Sequence, residues 1–187
     1  MALLPITLFG DKILRKRVSE VKDVDMDTIK LISDMFETMH NASGIGLAAN
    51  QVGSDKAIFV VDISEIDDEE DKKPIVIINP KIIKSSKDTI VMEEGCLSIP
   101  GVRGDVIRPK TITLEYQDTD FKKHTIKADR LLARVMQHEY DHLQGILFTD
   151  LVSEELKKKL KKPLNNIKRR KIEFEYPTSN SVDHQLI

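Results

Sequence analysis

Apolar residues first recur at helical spacing. Ile29, Ile32, Phe36 and Met39 fall three or four positions apart, behind Asp25 and Asp27, either of which can cap a helix running to about His40. Residues 41–46 then read as a loop whose two glycines let the backbone lie close to another group. The period shortens at residues 57–63, an apolar, β-branched run that predicts a strand. Residues 75–83 predict a second strand, broken by Pro80, and residues 89–92, 111–116 and 124–126 predict three more. Residues 93–101 read as a strand running into a turn. Helical spacing returns at Leu131, Leu132, Val135, Met136 and Leu143, with Asp129 as the cap and Gly145 as the stop. Residues 154–162 predict a basic helix ended by Pro163, and alternation over residues 171–176 suggests an edge strand. Residues 177–187 read as a polar, loosely held end.

Strands first, with an apolar helix buried among them, predict an α+β fold rather than a doubly wound sheet. The expectation is antiparallel or mixed sheets packed around that central helix. With 187 residues the chain suits one domain spanning 1–187, carrying a basic helix and a terminal strand from about 152. Residues 64–73 are acidic and read as a solvated loop. Hydrophobic residues make up 40% and charged residues 32%, and the net charge of −2 gives no sign of DNA binding. No apolar run approaches the roughly 18 residues of a membrane span. The first seventeen residues lack the layout of a secretory signal, so the cytoplasm is the expected location. One cysteine, Cys96, makes an intrachain disulfide impossible.

The sharpest chemical signal is His138-Glu139-Tyr140-Asp141-His142. Two histidines four apart share a helical face, about 6 Å apart along the axis at ~1.5 Å per residue. Their rings can converge on one metal ion, and Glu139 can reach a water there without being a ligand. The bland alternative is an accidental pattern on an exposed face. Against it, the flanking residues are apolar, and burying two histidines and two acids is costly unless something pairs with them. A catalytic metal commonly takes three protein ligands. Downstream, Glu154, Glu155 and His184 stand in no ligand motif. Upstream, Cys96 follows a glycine and precedes a turn, and a Cys/His/His set suits a soft or borderline cation.

Three segments together resemble the peptide deformylases: Gly44-Ile45-Gly46-Leu47-Ala48-Ala49-Asn50-Gln51, Glu94-Gly95-Cys96-Leu97-Ser98 and Gln137-His138-Glu139-Tyr140-Asp141-His142. Their order and spacing agree with that family, as does the opening from Leu8 to Arg15, and the resemblance covers roughly residues 5–151. It implies a hydrolase that removes the N-formyl group from the starting methionine of new polypeptides. It implies Cys96, His138 and His142 as metal ligands, with ferrous iron the usual ion and zinc or nickel able to replace it. It implies Glu139 as the proton carrier, with Gln51 and the Leu97 N–H meeting the oxyanion. Gly46 would line the peptide groove with its backbone.

Ordinary chemistry agrees. A cation makes water nucleophilic near neutral pH, and loss of one oxyanion donor typically costs ~3 kcal/mol. Each residue also has a plainer role open to it. Gln51 can cap a loop, and Gly44 and Gly46 can be only a tight turn, since Leu47-Ala48-Ala49 does not continue a dinucleotide motif. Glu94 and Arg103 match family positions that support the active-site loop, or they are a surface pair worth little. His40, His124 and His184 have no partner pattern.

Two features depart from the family. Arg134 sits one turn before His138, where an apolar residue would line the methionine pocket. Arginine can offer its stem and send its charge to solvent, or else it narrows and polarises that pocket. The tail is long and basic, with Lys157, Lys158, Lys159, Lys161 and Lys162, then Lys168 to Lys171. It reads as a solvated helix or as a ribosome contact, since basic patches bind RNA phosphates. The rival readings are a zinc endopeptidase, a binder that has lost its activity, and a structural metal site. Cys96 and Gln51 speak against the first, the complete set of ligands and Glu139 against the second, and the lack of a fourth ligand against the third.

Overall fold

The computed structural model describes residues 2–69 and 71–180. Residues 181–187, with His184, lie outside them. Helix α1 (Met26–Asn41) begins where the Asp25 carboxylate accepts the Thr28 N–H at 2.8 Å. Its buried stripe is Ile32, Met35 and Met39, while Ile29, expected on that stripe, is exposed. The strands are β1 (Gly46–Ala48), β2 (Ile58–Val61), β3 (Ile75–Ser85), β4 (Thr89–Gly95), β5 (Arg103–Pro109), β6 (Thr111–Gln117) and β7 (Lys123–Asp129). Helices α2 (Arg130–Leu143), α3 (Phe148–Leu151) and α4 (Glu154–Lys168) follow.

Five strands form one sheet in the order β1-β2-β3-β6-β7, antiparallel throughout, and β4 and β5 form a separate antiparallel hairpin. The α+β expectation holds. The period-two alternation of strands decides the layers. On β2, Phe59 and Val61 face the core shared with α2, while Ile58 and Val60 face the core shared with α1. All four are buried, so β2 reads in sequence as an unbroken apolar run. Helix α2 sets Ala133, Val135, Met136 and Leu143 into the first core, at about 1.5–3 kcal/mol for each large side chain. A third core joins Val106 of the hairpin to Phe148, Val152, Leu160 and Ile167 of the later helices.

The structure corrects several expectations. Strand β3 runs through Pro80, because the register shifts between Ile78 and Lys81 and the missing N–H falls where the ladder is already interrupted. Asn79, at φ 50°, anchors the bulge by bonding both backbone groups of Val21, at 2.8 and 2.7 Å. Helix α4 runs through Pro163. A proline inside a helix costs ~3 kcal/mol, and the buried Leu160 and Ile167 on either side offset it, at about 1.5–3 kcal/mol each. Asp129 stands at the α2 N-cap but makes no side-chain capping bond. Residues 171–176 form no strand. The tail meets the chain start through a single parallel bridge, Ile6 to Thr178.

Candidate metal centre

Helix α2 crosses between the large sheet and the hairpin, and its polar residues point toward the hairpin side. His138 and His142, one turn apart, bring their ring centroids within 5.0 Å. The hairpin supplies the third group, since Cys96 follows the last residue of β4. Its Sγ lies 3.2 Å from His142 Nε2, and the donor atoms of Cys96, His138 and His142 all lie within 4.8 Å of one another. Among the described residues no other three such side chains converge in this way.

One carboxylate organises the cluster. Glu94 of β4 accepts from His138 Nδ1 at 2.8 Å, which leaves Nε2 free to face a metal. It also accepts from Arg108 Nε and Nη2, at 2.6 and 3.1 Å, and from Arg134 Nη1 at 2.7 Å. Arg108 bridges on to Asp141 at 2.6 Å. Two buried cations therefore face two carboxylates. Burial works against the Glu94 charge, but the hydrogen bonds from His138 and Arg108 outweigh it and hold the carboxyl well below the usual range. Burial and the charges of His138 and Arg108 push His142 well below its ordinary value, which keeps a ligand nitrogen unprotonated. Burial opposes a charge on His138, yet Cys96 and Glu94 prevail and push it well above. The negative surroundings that favour a proton there also favour a cation.

Glu139 is buried beside the cluster and its Oε2 has no partner among the described residues. Burial first, and the Glu94 charge after it, push its carboxyl up to about 7, with His138 and Arg108 opposing. Gly46 is required by this approach. A Cβ there would stand 2.5 Å from Glu139 Oε1 and 2.8 Å from Val135 Cγ1. Gln51 caps the loop, one of the two roles open to it. Its Oε1 caps the Ala48 N–H at 2.8 Å, while its Nε2 lies 3.2 Å from Ser98 Oγ and 3.5 Å from Cys96 Sγ. Leu97 continues the turn after Cys96. A cavity of about 910 Å³ opens over these groups, with Gly44, Gly46, Leu97, Leu131 and Val135 among its walls.

Two expectations about charged residues change. The Arg134 head does not reach solvent. It is buried against the hairpin, donating to Glu94 and to the carbonyls of Val106 and Ile90 at 3.0 and 2.8 Å, so only its stem is left for the cavity. Glu94 is not paired with Arg103, which meets Glu93 at 3.6 Å on the surface. The residue overlooked in the sequence is Arg108. It alternates inward with Gly104 and Val106, yet a lone arginine before a proline carries no pattern. Asn50 Nδ2 donates to the His142 carbonyl at 2.6 Å. His40 and His124 pair with Asp62 and Asp118 away from the site.

The donor set, one thiol and two imidazoles with an acid alongside, fits a soft or borderline divalent cation. Comparisons with known proteins agree with this chemistry. Residues 3–158 match the family model for polypeptide deformylase. A peptide deformylase of Chlorobaculum parvum is 47% identical over 175 residues, covering 94% of this chain and 93% of that protein. One from Salinibacter ruber is 44% identical and covers 98% of each. The crystal structure of a peptide deformylase from Ehrlichia chaffeensis superposes with a TM-score of 0.82 at 38% identity, over 91% of this chain and 97% of that one.

Proposed function

This chain belongs to the peptide deformylase family, metal-dependent hydrolases that remove the N-formyl group from new polypeptides, and we propose that Cys96, His138 and His142 hold its metal ion while Glu139 moves the proton. The observation that carries this reading is the convergence of those three donors beside the buried, unpartnered Glu139 Oε2. We take ferrous iron as the ion in the cell, with zinc or nickel able to occupy the same donors, since thiolate and imidazole suit all three.

When bound, the cation supplies Lewis acidity that makes water nucleophilic near neutral pH and polarises the formyl carbonyl. Glu139 accepts a proton from the attacking water and delivers it to the departing α-amine, ordinary acid–base work for a carboxyl whose proton affinity lies near neutrality. Gln51 Nε2 and the Leu97 N–H donate to the carbonyl oxygen as it gains charge. Glu94 holds His138 in the tautomer and orientation its role needs. Gly46 gives backbone to the peptide groove, and the Arg134 stem adds wall to it. Cleavage of the formyl C–N bond leaves formate and a free amine.

The substrates are nascent formyl-Met polypeptides, and the cytoplasm is the compartment proposed for the reaction. No helix among the described residues is long and apolar enough to cross a membrane. We extend the proposal to a ribosome contact through α4. Lys158, Lys161, Lys162 and Arg169 are exposed and recur at helical spacing on one face, whereas Lys157 and Lys159 are paired with Glu154 and Glu155. Unchanged co-sedimentation with ribosomes at low salt after neutralising that face would end this part of the proposal.

The enzymatic test is formate release from a formyl-Met tripeptide by protein purified without oxygen, which spares the thiol, and loaded with ferrous iron. The parent should turn over and Glu139→Ala should be nearly inactive with its metal retained. A folded, metal-loaded parent that releases no formate would refute the assignment.

A further inference from the structure

The chain beyond α4 returns to the catalytic cavity. After α4, residues 172–176 run along the cavity wall as a strap without regular secondary structure. Exposure alternates along it, with Ile172, Phe174 and Tyr176 half-buried and Glu173 and Glu175 exposed. The strap is tied at three points. Arg170 Nη2 and Ser179 Oγ both bond the buried Asp11 carboxylate, at 2.5 and 2.6 Å. Ile6 exchanges backbone bonds with Pro177 and Ser179, each 2.9 Å. The Tyr176 hydroxyl donates to the Leu97 carbonyl at 2.6 Å, on the turn that carries Cys96.

We propose that Phe174 and Tyr176 form a subsite for the peptide residues that follow formyl-methionine, an inference that rests on the deformylase reading. The cavity volume of about 910 Å³ lies near the top of the ~300–1,000 Å³ range of ligand pockets, so it holds more than one residue of substrate. The strap lines the same cavity as His138 and Glu139, and its half-buried side chains are the apolar ones, with Ile172 and Phe174 resting partly on the core of the hairpin and later helices. An extended formyl-Met peptide whose second and third residues lie against these rings gains contacts that a formyl-Met amide cannot make. Tyr176 serves as a positioning residue for the strap, which its hydroxyl fastens to the Leu97 turn.

The test compares formyl-Met amide with a formyl-Met tripeptide in iron-loaded, full-length protein. Phe174→Ala should raise KM for the tripeptide roughly tenfold, the usual size of a lost apolar contact. It should leave kcat and KM for the amide unchanged. Phe174→Leu, the variant safest for folding, should restore most of the tripeptide KM. Tyr176→Phe keeps the ring and should raise tripeptide KM less than Phe174→Ala does. Titration calorimetry with the deformylated tripeptide reads the same contacts without turnover, and its Kd should weaken in step. Equal effects on both substrates, or an unchanged tripeptide KM and Kd, would overturn the subsite. A parent inactive on both substrates would sink the deformylase reading instead, and calorimetry would still decide the strap.

Discussion

Replacing Glu94 by Gln removes one charge and almost no volume, so its effect isolates what that charge does. Glu94 accepts four hydrogen bonds from the buried side chains of Arg108, Arg134 and His138. The amide would turn one acceptor into a donor facing other donors. It would also leave the buried Arg108 with Asp141 as its remaining carboxylate, and Arg134 with none among the described residues. Breaking a buried pair from one side costs about 3–5 kcal/mol, a large share of the ~5–15 kcal/mol that holds a domain folded. Metal affinity should fall on the order of 10–100-fold, because His138 loses the group that orients it. Arg103→Ala is the matched control. Its partner Glu93 lies 3.6 Å away and both side chains are mostly exposed, so the change should cost at most ~1 kcal/mol. Urea unfolding of chelated and loaded protein separates the fold from the metal, and chelator competition gives the affinity. If chelated Glu94→Gln unfolds within ~1 kcal/mol of the parent and loaded protein keeps its metal equally well, the assigned role of this network is wrong.

Three further predictions follow from single contacts. Gly46→Ala places a methyl against Glu139 Oε1, so kcat should fall on the order of a hundredfold with metal content unchanged, and an unaltered initial rate would contradict it. Arg134→Met keeps an apolar stem but removes one side of the buried pair with Glu94 and the donor to the Val106 and Ile90 carbonyls, costing about 3–5 kcal/mol in urea unfolding, while KM for formyl-Met peptides should stay the same. Asp34 is held below the ordinary carboxylate value, chiefly by its hydrogen bond from Lys30 and next by the Ala2 N–H. A depressed carboxylate stabilises the fold above its unfolded pKa of about 4, and that stability is lost as pH falls through the folded value. Asp34→Asn should therefore flatten the fall in Tm below about pH 4, and parallel Tm–pH curves would refute the linkage.

The three converging donors were legible because side chains able to share a metal fall into short patterns. His138 and His142 stand four apart on a helix, and Cys96 leaves a strand at a turn. The network around them was not, because buried ion pairs obey geometry rather than spacing. Arg108 comes from β5, whose inward residues Gly104, Val106 and Arg108 include only one apolar side chain. The hydrophobic alternation that identifies a half-buried strand is absent there, and pairing with β4 decides the structure instead. Arg134 was marked as odd for its place, yet no local rule says which way an arginine turns. In the sequence Pro80 predicts a break within its strand and Pro163 the end of its helix, because a proline breaks a hydrogen-bond ladder. Tertiary context overrode both, through a bulge in one case and apolar anchors in the other.

The hairpin links folding to metal binding. Strand β4 carries Glu94, which binds His138 Nδ1, and ends just before Cys96. Arg108 on β5 clamps Glu94 and Asp141 together, so it joins the hairpin to α2 directly. Seating the hairpin on α2 therefore assembles the donors, and a cation held between Cys96 and the histidines must tie the two parts in return. Binding to the folded state alone adds stability by mass action. The gain should pass through the hairpin–helix contact and not through the large sheet, which contributes none of the three donors. Hydrogen exchange can distinguish these routes. On metal loading, amides of β4 and β5 should gain protection while those of β3 and β6 stay as they were. Uniform protection across both sheets would mean that the cation stabilises the whole domain and that the hairpin has no separate share.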